Sequence, residues 1–207
     1  GMIPQKALMD SAKYYLQLEE MADEQILEYR LQENQEDPDT TPYAFLEAVA
    51  SNRPTPGGGS VAALAGALAA SLAHMVAGLT VNRKKYAEVQ EVVTAVQDEA
   101  ATLREQLTHA IRDDAAAFEA VMAAFRNSEL ADAEKQALVQ QATIGAAEVP
   151  LHVARLSYRA AQLSAEVAKV GNVNAATDAT AGVLLAQAAV ETAALNVKVN
   201  ATTINNK

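Results

Sequence analysis

A glycine-rich loop that runs directly into a long uncharged segment constrains the fold of this chain most strongly. Residues 53–60 read RPTPGGGS, and residues 61–81 contain no charged side chain, with histidine counted as neutral, and have alanine as their most frequent residue. Proline and glycine keep the loop irregular, whereas alanine has the highest helix propensity. The loop therefore leads into a helix N-terminus, where free N–H groups suit a carboxylate or a phosphate. A simple helix cap would use the same residues.

The uncharged segment is long enough to span a membrane, but its composition favours a buried helix of a helical bundle. A span needs about 20 predominantly apolar residues. Here alanine and glycine outnumber leucine, isoleucine and phenylalanine, and Ser71 and His74 fall within the segment. We therefore predict no membrane partner, and we expect this helix to be buried on all sides. A second alanine-rich helix is predicted over residues 178–199.

The remaining segments predict an all-α fold. Hydrophobic residues make up 50% of the chain and aromatic residues only 4%, a composition that suits closely packed helices better than sheets. Apolar residues recur at helical spacing over residues 86–124, 134–149 and 151–170, and we expect Pro150 to bend or restart the chain. The prediction is a bundle of five or six long helices with the two alanine-rich helices buried at its centre.

The negative charge is concentrated at the beginning of the chain. Residues 1–40 contain ten acidic and three basic residues, while the formal net charge of the whole chain is -10. The remaining residues are therefore close to neutral. We predict an acidic helical arm with a linker over 1–40 and one helical domain over 41–207. A nearly neutral domain without a basic stripe and stacking aromatic residues argues against nucleic acid as a partner.

Cysteine and histidine usage limits the chemistry. The chain contains no cysteine, and its three histidines, His74, His109 and His152, lack the spacing of metal ligands. We therefore predict no metal site and no thiol chemistry. No secretory leader is recognisable, since the first residues lack a basic segment followed by an apolar one, so we expect a cytoplasmic protein.

Polar side chains that could form a site gather in three places. These are the glycine loop, the loop before the second alanine-rich helix and an aspartate pair, which contribute Gly57, Gly58, Gly59, Ser60, Asn172, Asn174, Asp178, Asp113 and Asp114. Both loops open an alanine-rich helix, so two helix N-termini side by side would form a polar pocket. The sequence leaves open whether both walls of such a pocket come from one subunit or from two.

Each of these residues also has a simpler interpretation. Asp178 could cap a helix, Asn172 and Asn174 could form turns, and Asp113 could be a surface charge. Asp114 is more suggestive, because three alanines and Phe118 follow it and a carboxylate in apolar surroundings suits proton transfer.

Two further pairs of polar residues are candidates for substrate binding. Asn196 and Asn200 are four residues apart and therefore share one helix face, where they either hold a neighbouring backbone or contact a ligand. Lys84 and Lys85 follow the first alanine-rich helix and belong to the only concentrated positive charge in the domain. They form either a solvated cluster or a site for an anionic tail.

Several sequence blocks, in a fixed order along residues 42–204, match a known family. The blocks are TPGGGS at 55–60, AALAGAL at 62–68, DDAxAF at 113–118, VPL at 149–151, GNxNxxTDA at 171–179 and NVxVN at 196–200. Together they resemble the cyclodeaminase/cyclohydrolase family, which comprises the C-terminal half of formiminotransferase-cyclodeaminase and its free-standing bacterial relatives.

The resemblance implies an all-helical, homodimeric domain that binds a tetrahydrofolate derivative as its substrate and needs no additional cofactor. Members either close 5-formimino-tetrahydrofolate to the 5,10-methenyl compound with loss of ammonia, or hydrolyse the methenyl compound to 10-formyl-tetrahydrofolate. In such a site Asp114, Asp178 or Asp113 would move protons, the asparagines would bind the pterin, and Lys84, Lys85 or the helix N-termini would bind the glutamate tail. A non-catalytic folate-binding or assembly protein of the same fold is the alternative.

Overall fold

A computed structural model describes residue 15 and residues 42–204 of the chain. Tyr15 is helical, and the rest of the predicted acidic arm lies outside the described residues. The chain divides into two units, residues 1–50 and 51–207. In the first unit, helix α1 spans Pro42–Ala50 and buries Phe45 and Ala48. Its proline occupies the first helical position, where the missing N–H costs no hydrogen bond.

Four long helices form the second unit. They are α2 (Gly58–Gly78), α3 (Gln90–Arg126), α4 (Asp132–Val170) and α5 (Ala176–Thr203). Two short 3₁₀ segments, Lys84–Val89 and Val173–Ala175, precede α3 and α5. No strand occurs among the described residues, and the all-α prediction is confirmed. Helices α2 and α4 each pack against the other three long helices.

Consecutive long helices run antiparallel, and the bundle therefore has two distinct ends. Ser60 at the start of α2 contacts Asp114 late in α3, whereas Gly171 after α4 lies beside Thr80 after α2. We call the end with the N-terminus of α2 and the C-terminal parts of α3 and α5 the glycine end. The other, with the C-terminus of α2, both 3₁₀ segments and residues 171–175, is the asparagine end.

Glycine and serine set the close spacing of the helices in the core. A Cβ at Gly66 would collide with the Ser157 hydroxyl, and a Cβ at Gly182 would lie 2.6 Å from the Ser164 Oγ. Both serines are fully buried, and neither side chain has a hydrogen-bond partner among the described residues. The small residues thus let α4 approach both alanine-rich helices closely.

The outer face of α2 carries an apolar stripe. Val61, Leu68 and Met75 recur at seven-residue spacing and are 38%, 48% and 39% exposed. The expectation that α2 is buried on all sides is therefore not met within one chain, because its opposite face alone packs against the bundle. By length and composition, α2 and the segment over residues 173–203 could each span a membrane, and half of the most apolar window in α2 is buried in the bundle.

Helix α4 continues through Pro150, where we expected a bend or a restart. Proline has no N–H, so the carbonyl of Ala146, four residues earlier, loses its helical donor. The side chain of Asn200 on α5 replaces that donor, because its Nδ2 donates to the Ala146 oxygen at 2.7 Å. The freed carbonyl is therefore satisfied by another helix, and the helix does not need to end.

Candidate functional site

A serine–aspartate pair marks the glycine end. The Ser60 hydroxyl donates to Asp114 Oδ2 at 2.8 Å, joining the start of α2 to α3. Gly57 occupies the N-cap position of α2, and no side chain caps that helix. Ser60 is fully buried, while Asp114 is partly exposed. The hydroxyl therefore fixes the direction of a carboxylate that solvent can still reach, rather than capping the helix.

Gly59 makes room for this carboxylate. A Cβ at position 59 would lie 2.6 Å from Asp114 Cγ and would collide with the carboxylate oxygens. The same atom at Gly58 would lie 3.5 Å from Asn196 Nδ2, which is an ordinary contact. The observed position of the Asp114 carboxylate therefore requires glycine at 59, whereas alanine can be accommodated at 58.

The two asparagines of α5 also lie at the glycine end, and their amides are bonded differently. Asn196 donates to the Thr192 carbonyl of its own helix at 3.0 Å, and it lies beside Gly58. Asn200 donates to Ala146 of α4, as described above. Asp113 is exposed next to Asp114 on α3. Of the predicted site residues, Ser60, Asp114, Asn196 and the glycines therefore come together here.

A cavity of about 440 Å³ opens at Phe118, four residues after Asp114 on α3. Its volume falls within the range of small-molecule sites, about 300–1,000 Å³. The loop before α2 and the last turns of α3 form its walls, with Arg53, Pro54, Thr55, Phe118, Glu119, Met122, Ala123 and Arg126 as the lining residues.

The predicted polar residues of the second loop lie at the asparagine end. The Asn172 backbone N–H donates to Thr80 Oγ1 at 2.9 Å, and its side-chain amide donates to the Leu79 carbonyl at 3.3 Å. Its Oδ1 accepts from the Asn174 N–H at 3.1 Å. Asn174 is exposed, and Asp178 lies in the first turn of α5. Asn172 thus ties its loop to the end of α2.

Lys84 and Lys85 belong to the same end. Tyr86, the next residue, accepts a hydrogen bond on its hydroxyl from the Val173 N–H at 3.2 Å. The Lys85 ammonium lies over the Tyr86 ring, 5.4 Å from its centroid. Both lysines are exposed. The positive charge is therefore placed beside the asparagine loop rather than beside Asp114.

One chain does not bring the two predicted loops together. Helix α2 separates them, and its 21 residues correspond to about 30 Å at 1.5 Å per residue. The arrangement of two helix N-termini side by side is therefore wrong within a single subunit. The reason is that α2 and α5 run antiparallel, so their N-termini point to opposite ends.

Metal ligands and a histidine base find no support in the geometry. Among residues 42–204, no three His, Asp or Glu side chains cluster as metal ligands would. His74 is partly buried, and its Nδ1 lies 2.9 Å from the Gln97 carbonyl oxygen, a contact that fits a structural histidine.

The sequence analysis did not identify the cavity as a candidate site. Its signal was nonetheless present, because Asp114, Phe118, Met122 and Arg126 follow one another at four-residue intervals on α3. Residues at this spacing share a helix face. The partner wall, Arg53 to Thr55, comes from the loop and can be recognised only once the fold is known.

Comparisons with known proteins establish the family. A family model described as formiminotransferase-cyclodeaminase matches residues 41–207, and the chain belongs to this family. The chain is 42% identical over 166 residues to a methenyltetrahydrofolate cyclohydrolase of Methylorubrum extorquens, with 79% of this chain and 80% of that protein aligned. It is 28% identical to the formimidoyltransferase-cyclodeaminase of Gallus gallus over 97% of this chain and 43% of that protein.

A solved structure has the same fold. The crystal structure of a formiminotetrahydrofolate cyclodeaminase from Thermotoga maritima matches with a TM-score of 0.73 and 32% sequence identity. The match covers 80% of each chain. The similarity therefore extends over most of the helical bundle and is not confined to one motif.

Proposed function

We propose that this chain is a folate one-carbon enzyme that hydrolyses 5,10-methenyl-tetrahydrofolate to 10-formyl-tetrahydrofolate. The observation that carries the proposal is the Asp114 carboxylate, oriented by Ser60 and accommodated by Gly59 at the start of α2. The 42% identity to a named cyclohydrolase supports this reaction as the first candidate. The substrate is the folate itself, and the proposal includes no cofactor, no metal and a cytoplasmic location.

The reaction needs one group that moves protons near a cationic carbon. In methenyl-tetrahydrofolate the one-carbon unit bridges N5 and N10 as an amidinium cation. Asp114 accepts a proton from water as the new C–O bond forms, which gives a tetrahedral carbon between the two nitrogens. The protonated Asp114 then gives this proton to N5 as the C–N5 bond breaks, and the hydroxyl proton is released to solvent as the formyl C=O forms. The carboxylate charge also stabilises the cationic substrate.

The second candidate reaction is cyclisation of 5-formimino-tetrahydrofolate with release of ammonia. The 32% identical structural neighbour, named a formiminotetrahydrofolate cyclodeaminase, favours it. Attack of N10 on the formimino carbon again gives a tetrahedral carbon between two nitrogens, and the same carboxylate would transfer a proton to the departing amine. A non-catalytic folate-binding or assembly protein is the alternative from a different class.

One spectroscopic assay distinguishes these candidates. The methenyl absorption band decreases if the chain hydrolyses methenyl-tetrahydrofolate and increases if it cyclises the formimino compound. Turnover of neither substrate, together with no folate binding by calorimetry, would reject the enzyme proposal. Binding without turnover would instead support the non-catalytic alternative.

Replacement of the carboxylate tests its role. Asp114→Asn removes the proton acceptor while keeping size and hydrogen-bonding capacity, so we expect turnover to fall by about 10²- to 10⁴-fold. Asp98→Asn, on an exposed position of the same helix, is the matched control and should retain activity. Equal turnover of the two variants would eliminate Asp114 as the proton-transfer group. Asp178→Asn and Asp113→Asn examine the two other carboxylates in the same way.

We also propose that the chain forms a homodimer with a shared site. The exposed stripe of Val61, Leu68 and Met75 is a candidate interface on α2. In a two-fold dimer the two α2 helices could pack antiparallel along this stripe, because such an interface pairs the same surface on both subunits. The glycine end of one subunit would then face the asparagine end of the other, with its Asn172, Asn174, Asp178, Lys84 and Lys85.

Mixed dimers test the shared site. Chains with Asp114→Asn and chains with Asp178→Asn, each impaired alone, should regain activity when unfolded and refolded together if one site uses both subunits. Sedimentation should give the mass of two chains. A monomeric mass with full activity would contradict the dimer proposal while leaving the folate reaction intact.

A further inference from the structure

We propose that the cavity at the glycine end binds the p-aminobenzoyl-glutamate part of a folate, with Arg53 and Arg126 as receptors for its carboxylates. This inference rests on the proposed function and adds a location for the part of the substrate that does not react. It differs from the expectation that Lys84 and Lys85, at the asparagine end, receive the tail.

The charges of the cavity suit an acidic ligand. Arg53 and Arg126 both line it, and Glu119 is the one acidic residue among the lining residues. Within residues 42–204, neither arginine forms an ion pair with a carboxylate. The Arg53 Nε donates a hydrogen bond to the Ser51 hydroxyl at 3.4 Å. Among the described residues, both guanidinium groups therefore lack a carboxylate partner, and guanidinium groups bind carboxylates in a bidentate geometry.

The apolar lining of the cavity suits an aromatic ring. Phe118 is 37% exposed and Met122 is partly exposed, and both line the cavity, so both present apolar surface to it. Aromatic rings pack well against phenylalanine in offset or edge-to-face arrangements, and the methionine sulfur adds a favourable contact. The order along α3 is therefore apolar first and positive last.

This order matches the order of groups in a folate that reacts at Asp114. Phe118, Met122 and Arg126 follow Asp114 at four-residue intervals, which correspond to steps of about 6 Å along the helix. A pterin held beside Asp114 would place the benzoyl ring near Phe118 and the glutamate near Arg126. Additional γ-linked glutamates would extend along the arginine-lined rim, where Arg53 is exposed.

Calorimetry with fragments tests the cavity without requiring catalysis. The probes are p-aminobenzoyl-glutamate and p-aminobenzoyl-tri-γ-glutamate, titrated into the full chain and into Arg126→Gln and Arg53→Gln. We expect the tri-glutamate to bind more tightly than the mono-glutamate, and each substitution to weaken tri-glutamate binding about tenfold, as for the loss of one charge-assisted bond. Thermal unfolding verifies that each variant is folded.

Control variants separate this site from general charge effects. Arg104→Gln removes an exposed positive charge from the same helix outside the cavity, and it should leave the affinity unchanged. The variant Lys84→Gln/Lys85→Gln removes the competing receptor, and its affinity shows whether the lysines rather than the arginines bind the fragment. No measurable fragment binding, or affinity that falls with the lysines and not with the arginines, would overturn the proposal.

The outcome is separable from that of the proposed reaction. If the chain turns over a folate but the arginine substitutions leave fragment affinity unchanged, the cavity assignment is wrong and the proposed reaction is still supported. If the arginine variants lose fragment binding while neither folate is turned over, the reaction is wrong and the chain retains a folate-tail site. In an active chain, the same substitutions should raise KM for the tri-glutamate substrate and leave kcat unchanged.

Discussion

At the asparagine end polar groups are bonded to backbone atoms, whereas at the glycine end two side chains bond to each other beside a cavity. Thr80 donates to Val76 and accepts from Asn172, and Tyr86 accepts from Val173. Ser60, in contrast, orients an Asp114 carboxylate that remains partly exposed. The first network closes a loop on a helix end, while the second leaves an acceptor facing open space. The polar residues of the asparagine end therefore hold backbone segments together, whereas those of the glycine end orient a side chain.

Among the changes that compare the two ends, the largest effect is expected from adding one methyl group at the glycine end. Gly59→Ala places a Cβ against the Asp114 carboxylate and should displace it from Ser60, whereas Gly58→Ala meets Asn196 at an ordinary distance. We expect turnover to fall by about 10²-fold in Gly59→Ala, since a misplacement of about 1 Å can cost that much. Gly58→Ala should retain activity. Turnover assays with thermal unfolding measure both, and equal activity would contradict the steric argument.

At the asparagine end the expected effect is on stability. Thr80→Val removes a fully buried hydroxyl and leaves the Asn172 N–H without its acceptor. Such a loss costs about 1–3 kcal/mol in unfolding free energy. Thr80→Ser keeps the hydroxyl and should cost less. Denaturant unfolding measures the difference, and equal losses in the two variants would show that the hydroxyl does not hold this end.

Ser60→Ala provides the matched change at the glycine end. The Asp114 carboxylate that loses its donor stays accessible to water, so we expect a smaller loss of stability than in Thr80→Val. A larger loss in Ser60→Ala would reverse the contrast between the two ends.

The smallest effect on stability is expected from an ion pair in the middle of the bundle, and it provides a reference for the changes at the two ends. Arg159 binds Glu99 through Nε at 2.6 Å and Nη2 at 2.7 Å, and both side chains are more than 40% exposed. The hydrogen bond from Arg159 lowers the pKa of Glu99 below its ordinary value, with burial opposing this shift. Because the pair is exposed, Glu99→Gln should cost only about 0.5 kcal/mol at neutral pH.

The pH dependence of this cost follows from the lowered pKa. The pair stabilises the folded chain above the ordinary glutamate pKa of about 4.3, and this contribution is lost as the pH falls through the lowered pKa of Glu99. Unfolding of the wild type and Glu99→Gln should therefore converge in acid. Glu105→Gln, an exposed change on the same helix, is the control and should show no such convergence. A difference in unfolding free energy between the wild type and Glu99→Gln that stays constant with pH would contradict the linkage.

Local signals in the sequence were enough to predict the helices but not how their ends meet. Alanine content and apolar spacing indicated α2 and α5, and the all-α prediction is confirmed. The prediction that the two loops lie side by side was wrong within one chain for a topological reason. With four antiparallel helices, the first and fourth N-termini lie at opposite ends, and only one further reversal of the chain direction would have brought them together.

The effect of Pro150 could not be read locally, because it depends on a residue fifty positions away. A proline inside a helix removes one donor, and the sequence near it offers no replacement for the Ala146 carbonyl. For Asn200 we expected either a hydrogen bond to a neighbouring backbone or a contact with a ligand. Its side-chain amide donates a hydrogen bond to the Ala146 carbonyl. Its predicted role in substrate binding, like those of the other site residues, remains a prediction.

The bond between Asn200 and Ala146 also has a consequence for the order in which the chain acquires its structure. During synthesis α4 emerges long before residue 200, so the Ala146 carbonyl must bond water until the end of α5 arrives. The hydrogen bonding of α4 around Ala146 is therefore completed only when one of the last turns of α5 has been synthesised. Fraying at the end of α5 would expose that carbonyl again, which couples the final turns of the bundle to the centre of its longest helix.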